Sequence, residues 1–261
     1  MRTLLAMPAY NEADHLPAVL AGVARHIHDI LVVDDGSTDD TPNILSSTKG
    51  VTTIRHETNQ GYGKSLIDAF GYAIQHSYDW VITMDCDAQH APEHIPEFIS
   101  AAAEDDADII SGSRYLTALD GDHTPPEHRR AINMTITALL KCQLGLALTD
   151  AFCGFKAYRV MGVKRLKASD FGYAMPLQIW VQAARAGLRV RELPIKLIYN
   201  DPNRHFGGEL DDAHVRLLHY VRVLKEEMGG FSCTCFDNDD AHATCEKIAP
   251  HCPRCYSDPA C

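Results

Sequence analysis

Apolar and polar positions alternate along the first 112 residues in a regular beat. Five short runs rich in β-branched and aliphatic residues, at 3–7, 30–33, 51–55, 81–84 and 109–112, have the length and composition of buried parallel strands. Between them the apolar residues recur at helical spacing. Leu16, Val19, Leu20 and Val23 mark a helix reaching about His26, residues 64–76 a second and residues 93–104 a third. Thr38 or Asp39 is placed to cap a further helix after the second strand. Strands alternating with helices at this spacing predict an α/β fold, a single doubly wound, mostly parallel sheet flanked by helices.

The second half is less regular. An amphipathic helix is expected over about 128–146, with Arg129-Arg130 near its start, and a short strand over 155–158. A helix over 174–186 is stopped by Gly187, and a strand over 190–198 leads into a polar loop at 199–208. The last helix is expected over 212–228, with Val215, Leu218 and Val221 facing inward and Gly229-Gly230 ending it. No internal repeat is visible.

Composition narrows the classes. The chain has 261 residues, 46% of them apolar, enough for one large domain and an appendage. A formal charge of −11 argues against a nucleic acid partner and against a polybasic grip on anionic lipid. No apolar run reaches membrane-spanning length, since Asn133, Lys141 and Gln143 interrupt the most apolar segment. Polar Asn11 and Glu12 arrive too early for a signal peptide, so a cytoplasmic protein is expected. Six of the nine cysteines fall in the last 29 residues, which sets 229–261 apart as a Cys-rich acidic tail behind a domain of residues 1–228. Cys233, Cys235, Cys252 and Cys255 with His242, Cys245 and His251 suit zinc, but free thiols or disulfides suit the same composition.

The chemistry sits where the strands stop. Asp85, Asp87 and Gln89 follow the fourth strand, and hard oxygen ligands at that spacing suit Mg²⁺ or Mn²⁺. Asp34 and Asp35 end the second strand, and the segment from Pro8 to Glu12 ends the first. Parallel strands bring such ends to one edge, where open α/β sheets bind ligands. Gly61-Tyr62-Gly63-Lys64-Ser65 is not a P-loop, because Thr58 stands where its first glycine belongs. Leu66 and the turn's position after a later strand exclude the dinucleotide fingerprint as well. A glycine turn and helix start is the better reading.

In combination the segments PAYNE, VVDDGSTDDT, MDCDAQHAPE, SGSRY, DAFCGFKAYR and RELPI resemble the inverting family 2 glycosyltransferases of GT-A fold, over about residues 3–227. The nearest subgroup is the polyprenyl or dolichyl phosphate mannose and glucose synthases. The resemblance implies a hexose, mannose or glucose, moved from GDP-mannose or UDP-glucose to a polyprenyl phosphate. Pro8, Tyr10, Glu12, Val33 and Asp35 would then hold base and ribose. Asp85, the Cys86 backbone and Asp87 would face ribose and diphosphate, Asp87 and Gln89 would hold the Mg²⁺ or Mn²⁺, and Arg114 would meet phosphates or sugar. Arg204 matches the arginine of the acceptor loop. A phosphate acceptor needs no protein base.

The absence of an Arg-Trp pair after Gln178 disfavours the processive polysaccharide synthases. Two departures concern the acceptor: Pro176 and Leu177 stand where many relatives have a glutamate, and Leu210 stands where a lysine is expected. A glycan or small-molecule acceptor is the enzyme alternative, and nucleotide-sugar binding without turnover the alternative of another class. A lipid acceptor would require peripheral contact at the membrane's cytoplasmic face. The face of Ile132, Ile136, Leu139 and Leu140 is a candidate for it, although core or subunit interface is the favoured reading. Oligomeric state is left open.

Overall fold

The computed structural model of the chain describes residues 1–199 and 208–230. Its seven strands are β1 (Thr3–Ala9), β2 (Ile30–Asp34), β3 (Val51–Arg55), β4 (Trp80–Thr83), β5 (Ile109–Ser113), β6 (Lys156–Arg159) and β7 (Val190–Pro194). They form one sheet in the order β3-β2-β1-β4-β6-β5-β7. All pairings are parallel except those of β6, which runs antiparallel to both β4 and β5. The sheet is therefore mostly parallel, as the pattern predicts. The sheet extends β1 through Pro8 and Ala9, which pair with Val33 and Asp34, so the first acidic segment starts from a fixed strand. The last strand is shorter than the apolar pattern suggests and stops at Pro194.

Strand alternation divides the core in two. Leu4, Ala6, Leu31 and Val33 face one layer, built with α3 (Tyr62–Gln75), α5 (Glu127–Leu144), α7 (Met175–Arg185) and α8 (Ala213–Glu227). Leu5, Met7, Ile30 and Val32 face the other, with α1 (Leu16–Val23) and α4 (Ile95–Ala103). The two remaining helices, α2 (Thr41–Ser47) and α6 (Val160–Val163), are short. Asp39 accepts from the amide of Thr41, the first residue of α2, and from the Ala13 amide, while Asp40 at the N-cap position makes no side-chain bond to the helix amides and Thr38 bonds to Asn11 instead.

One helical face differs from expectation and a second follows the favoured reading. On α8, Leu217, Tyr220, Val221 and Leu224 point inward, whereas Val215 and Leu218 are 39% and 41% exposed. Both stripes are apolar, and the inward one follows i, i+3, i+4, i+7, which buries more surface. On α5 the face of Ile132, Ile136, Leu139 and Leu140 is fully enclosed in the core, so it is not a membrane-contact surface. Among the described residues no helix is long and apolar enough to cross a membrane. The polar loop expected at 199–208 and the cysteine tail lie almost wholly outside the described residues, and Arg204 lies there too.

Candidate active site

The C-terminal ends of β1, β2 and β4 open into one cavity of about 570 Å³. Pro8, Tyr10, Glu12, Asp35, Asp85, Cys86, Asp87, Gln89 and Arg114 all line it. Val33 does not. The pleat turns its side chain into the helical core layer, fully buried with Leu31 and Leu66. Lys64 is also absent from the lining and pairs instead with Asp68 one helical turn on.

The loops after β1 and β2 are stitched together. Asn11 adopts a left-handed conformation (φ 55°), which asparagine tolerates better than most residues, and its side chain accepts from the Thr38 amide at 2.8 Å. The Asn11 amide donates to Ser37 Oγ and the Glu12 amide to Thr41 Oγ1. This holds the buried Glu12 and the half-exposed Tyr10 in a defined loop.

Asp35 is built in as firmly. Its carboxylate accepts from the Gln60 and Gly61 amides, each at 2.8 Å, and lies 2.6 Å from His56 Nδ1, whose Nε2 reaches Asp68. The glycine turn is thus structural: Gly61 has φ 106°, and a Cβ there would stand 2.2 Å from the Phe171 carbonyl. It also sets the start of α3, whose first residue Tyr62 donates to Asp85 Oδ1 at 3.1 Å and stacks on Tyr173. Burial, then the Asp85 charge, raises the Tyr62 phenol well above its usual range, so it stays a donor.

Asp85 is fixed from three sides. Its amide donates to His90 Nδ1, and Gly154 leaves room for its carboxylate, since a Cβ at 154 would meet Asp85 Oδ2 at 2.3 Å. Burial lowers the His90 pKa despite the nearby aspartates, and Nδ1 acts as an acceptor, so this ring is a neutral support for Asp85. The Cys86 side chain packs into the core.

Asp87 and Gln89 form a tight pair. Asp87 Oδ1 accepts from the Gln89 amide at 2.9 Å, and Gln89 Nε2 is buried without a hydrogen-bond partner among the described residues. A half turn of that amide would put its oxygen where Nε2 now stands, on a residue that lines the cavity next to Asp87. One carboxylate and one amide oxygen fit a Mg²⁺ or Mn²⁺ that takes its remaining ligands from substrate phosphates and water.

The opposite wall is basic and aromatic. Arg114 makes a forked pair with the fully buried Asp150, Nε to Oδ2 at 2.7 Å and Nη2 to Oδ1 at 3.0 Å. Asn133 and the Phe152 amide also donate to Asp150. Burial would lift the Asp150 pKa, but the Arg114 charge and hydrogen bonds hold it below the usual value. Arg114 is thus anchored by one face of its guanidinium while it borders the cavity. Arg129, Ile132 and Asn133 from α5, Arg216 and Tyr220 from α8, and Phe152, Tyr173 and Tyr199 complete this wall. Pattern reading missed Arg216, Tyr62, Tyr173 and Tyr220 as site residues, because they look like ordinary positions of helices or turns.

Residues 5–167 match the family described as Glycosyl transferase family 2. The chain belongs to this family. It is a glycosyltransferase, and the sheet and helices above are the GT-A fold. Among characterised members, an undecaprenyl-phosphate mannosyltransferase of Micrococcus luteus is 29% identical over 238 residues, covering 87% of this chain and 97% of its own. A polyprenol monophosphomannose synthase of Mycolicibacterium smegmatis is 29% identical, covering 74% and 76%. Among solved structures, glucosyl-3-phosphoglycerate synthase of Mycobacterium tuberculosis, in complex with Mn²⁺ and UDP-glucose, superposes with a TM-score of 0.68 at 18% identity, over 88% of this chain and 80% of that one. In this glycosyltransferase the family match covers the carboxylate wall and Arg114, and ends before α7 and α8.

Proposed function

We propose that residues 1–228 form a metal-dependent, inverting transferase that moves mannose or glucose from a nucleotide diphosphate sugar to a polyprenyl phosphate. The observation that supports this best is that one cavity brings together the carboxylates of the strand ends with arginines and aromatic rings from later elements. The names of the two bacterial relatives agree with a polyprenyl phosphate acceptor and a mannosyl donor, and the mycobacterial structure with Mn²⁺ and UDP-glucose agrees with a metal and a uridine donor. GDP-mannose and UDP-glucose both remain candidate donors.

In this reading Pro8, Tyr10, Glu12 and Asp35 hold the base and ribose. Asp85, the Cys86 backbone and Asp87 face the ribose and diphosphate. Asp87 and Gln89 hold Mg²⁺ or Mn²⁺, which when bound supplies positive charge to the diphosphate leaving group. Arg114, kept in place by Asp150, meets the phosphates or the sugar. An oxygen of the acceptor phosphate attacks the anomeric carbon from the face opposite the diphosphate. The bond from that carbon to the diphosphate oxygen breaks, through a cation-like transition state, and the configuration inverts. A phosphomonoester with its second pKa near 6 is already an anion at neutral pH, so no side chain has to remove a proton. Arg204 is proposed, on sequence grounds, as a further acceptor contact.

Approach to a lipid acceptor would be peripheral, from the cytoplasmic face. The Phe171 and Tyr173 side chains, 51% and 39% exposed beside the cavity, are better suited to it than the enclosed face of α5. The reaction is tested by incubating the protein with labelled GDP-mannose or UDP-glucose, with and without polyprenyl phosphate and Mn²⁺. A lipid-linked sugar that requires all three components is expected. No lipid-linked product from either donor overturns the acceptor assignment.

A further inference from the structure

The turn after β3 buries a histidine against Asp35. His56 is 7% exposed, and its amide donates to the Asp34 carbonyl at 2.9 Å, which ties it to the end of β2. Its ring stands between two carboxylates, with Nδ1 2.6 Å from Asp35 Oδ1 and Nε2 2.8 Å from Asp68 Oδ2 on α3. Lys64, one turn earlier on α3, donates to both Asp68 oxygens at 2.5 Å. Carboxylate, imidazole, carboxylate and ammonium form one row. Asp35 borders the cavity, whereas His56, Asp68 and Lys64 are outside its lining.

This row fixes a proton count. A ring nitrogen can meet an ionised carboxylate only by donating. A neutral imidazole has a single N–H, so contacts at both nitrogens need one proton more, and an imidazole is a stronger base than a carboxylate. With that proton on the ring the charges along the row alternate and cancel. An imidazolium has a fixed donor on each side, and so sets the rotation of both carboxylates. Asp35 Oδ1 is then filled by His56 and the Gln60 amide, whereas Oδ2 takes only the Gly61 amide among the described residues. One acceptor position is left on a carboxylate that is 4% exposed and borders the cavity. We propose that His56 is a positioning residue for the donor: as an imidazolium braced by Asp68, it holds Asp35 so that Oδ2 receives an N–H or hydroxyl of the nucleoside. This rests on the donor reading above and extends that site to residues outside the cavity.

The test uses the full chain and its His56→Ala, His56→Asn and Asp35→Asn variants. Binding of GDP, UDP and inorganic diphosphate, each with Mn²⁺, is measured by calorimetry. His56→Ala should weaken the nucleotide that the wild type binds more tightly by about 10-fold, the scale of one charge-assisted hydrogen bond, and leave inorganic diphosphate unaffected. His56→Asn, whose amide nitrogen can replace Nδ1 as donor, should recover part of the loss. If His56 only supports the fold, His56→Ala will weaken inorganic diphosphate as much as the nucleotide and His56→Asn will recover nothing, and the inference is wrong. Nucleotide binding that falls in Asp35→Asn but not in His56→Ala also overturns it, and leaves the donor reading intact. Nucleotide binding unchanged in Asp35→Asn overturns the donor reading at this end of the cavity and the inference with it. Nitrogen-15 spectra of the histidine rings at neutral pH need no stable alanine variant. The signal lost in His56→Asn should belong to a ring with protons on both nitrogens, and a His56 nitrogen without its proton overturns the inference.

Discussion

The carboxylate wall and the arginine-aromatic wall enclose one cavity but are built differently. Glu12, Asp35, Asp85 and Asp87 stand within a few residues of strand ends, and hydrogen bonds between neighbouring loops fix them: Asn11 to Thr38, Asp35 to Gly61, Asp85 to His90. The other wall is assembled from the end of β5, from α5 and α8 and from the segments before α7, which are far apart in sequence. Arg114 there is anchored by the buried Asp150, and Arg216 by the main-chain carbonyls of Leu210 and Asp211. On the proposed reading, the first design gives a donor site held by hydrogen bonds between loops. On the same reading, the second could vary its helices, and with them the acceptor, while the strand ends stay as they are.

The largest expected effect tests the carboxylate wall alone. Asp87→Ala should lower turnover by about 10²- to 10³-fold, the scale typical for losing a preorganised charge-stabilising group. Its melting temperature should stay near that of the wild type, because few buried contacts are lost. Intact turnover would remove Asp87 from the metal site.

Next in size, Asp150→Asn should destabilise the fold by about 3 kcal/mol, since it leaves Arg114 without its buried counter-charge. The same group gives the arginine wall an acid limit. The Asp150 pKa is lowered in the folded state, so below 3.8 the unfolded chain binds a proton that the native state does not. Stability is therefore present above pH 3.8 and lost as pH falls through the folded value. Asp150→Asn should remove that part of the slope in chemical denaturation measured across acid pH. An unchanged slope would mean that the pair is not a stabilising anchor.

A third comparison addresses α8 itself. Leu217→Ala should cost about 3 kcal/mol as a buried truncation, and Leu218→Ala no more than about 0.5 kcal/mol at an exposed position. Equal costs in urea denaturation would contradict the inward face described here.

The smallest effect links the walls. Tyr62→Phe keeps the stack on Tyr173 but removes the hydrogen bond to Asp85, worth about 1 kcal/mol. The donor KM should rise several-fold with kcat nearly unchanged, and a change confined to the acceptor KM would place Tyr62 on the other side.

Much of the carboxylate wall was legible because its residues are local. A short apolar run followed by Asp-x-Asp-x-Gln fixes a strand, its end and the chemistry there within ten residues. Pro8, Tyr10, Glu12, Asp35, Asp85, Asp87 and Gln89 do meet in one cavity. Val33 shares its face of the sheet with Pro8 and Asp35 but sits deeper, in the core layer, since a strand end does not say at which residue the core stops and the cavity begins. The role of His90, accepting the Asp85 amide, is not legible in the pattern because it depends on a turn that the pattern does not show. On α8 two apolar stripes competed, and only packing against α5 and α7 decides between them.

The sequence by itself determined an α/β sheet, the strand ends that bear carboxylates and membership of a glycosyltransferase family. These follow from strand and helix periodicities and from short segments whose chemistry is contained in neighbouring residues. The tertiary structure decided the other half of the cavity. Only after α5 and α8 pack on the same face of the sheet do Arg129 and Arg216 come near each other, 87 positions apart in the chain, with the Arg216 guanidinium against the carbonyl of Leu210, where relatives are expected to have a lysine. Side-chain encounters over such distances depend on helix rotation and packing, which a one-dimensional pattern does not specify.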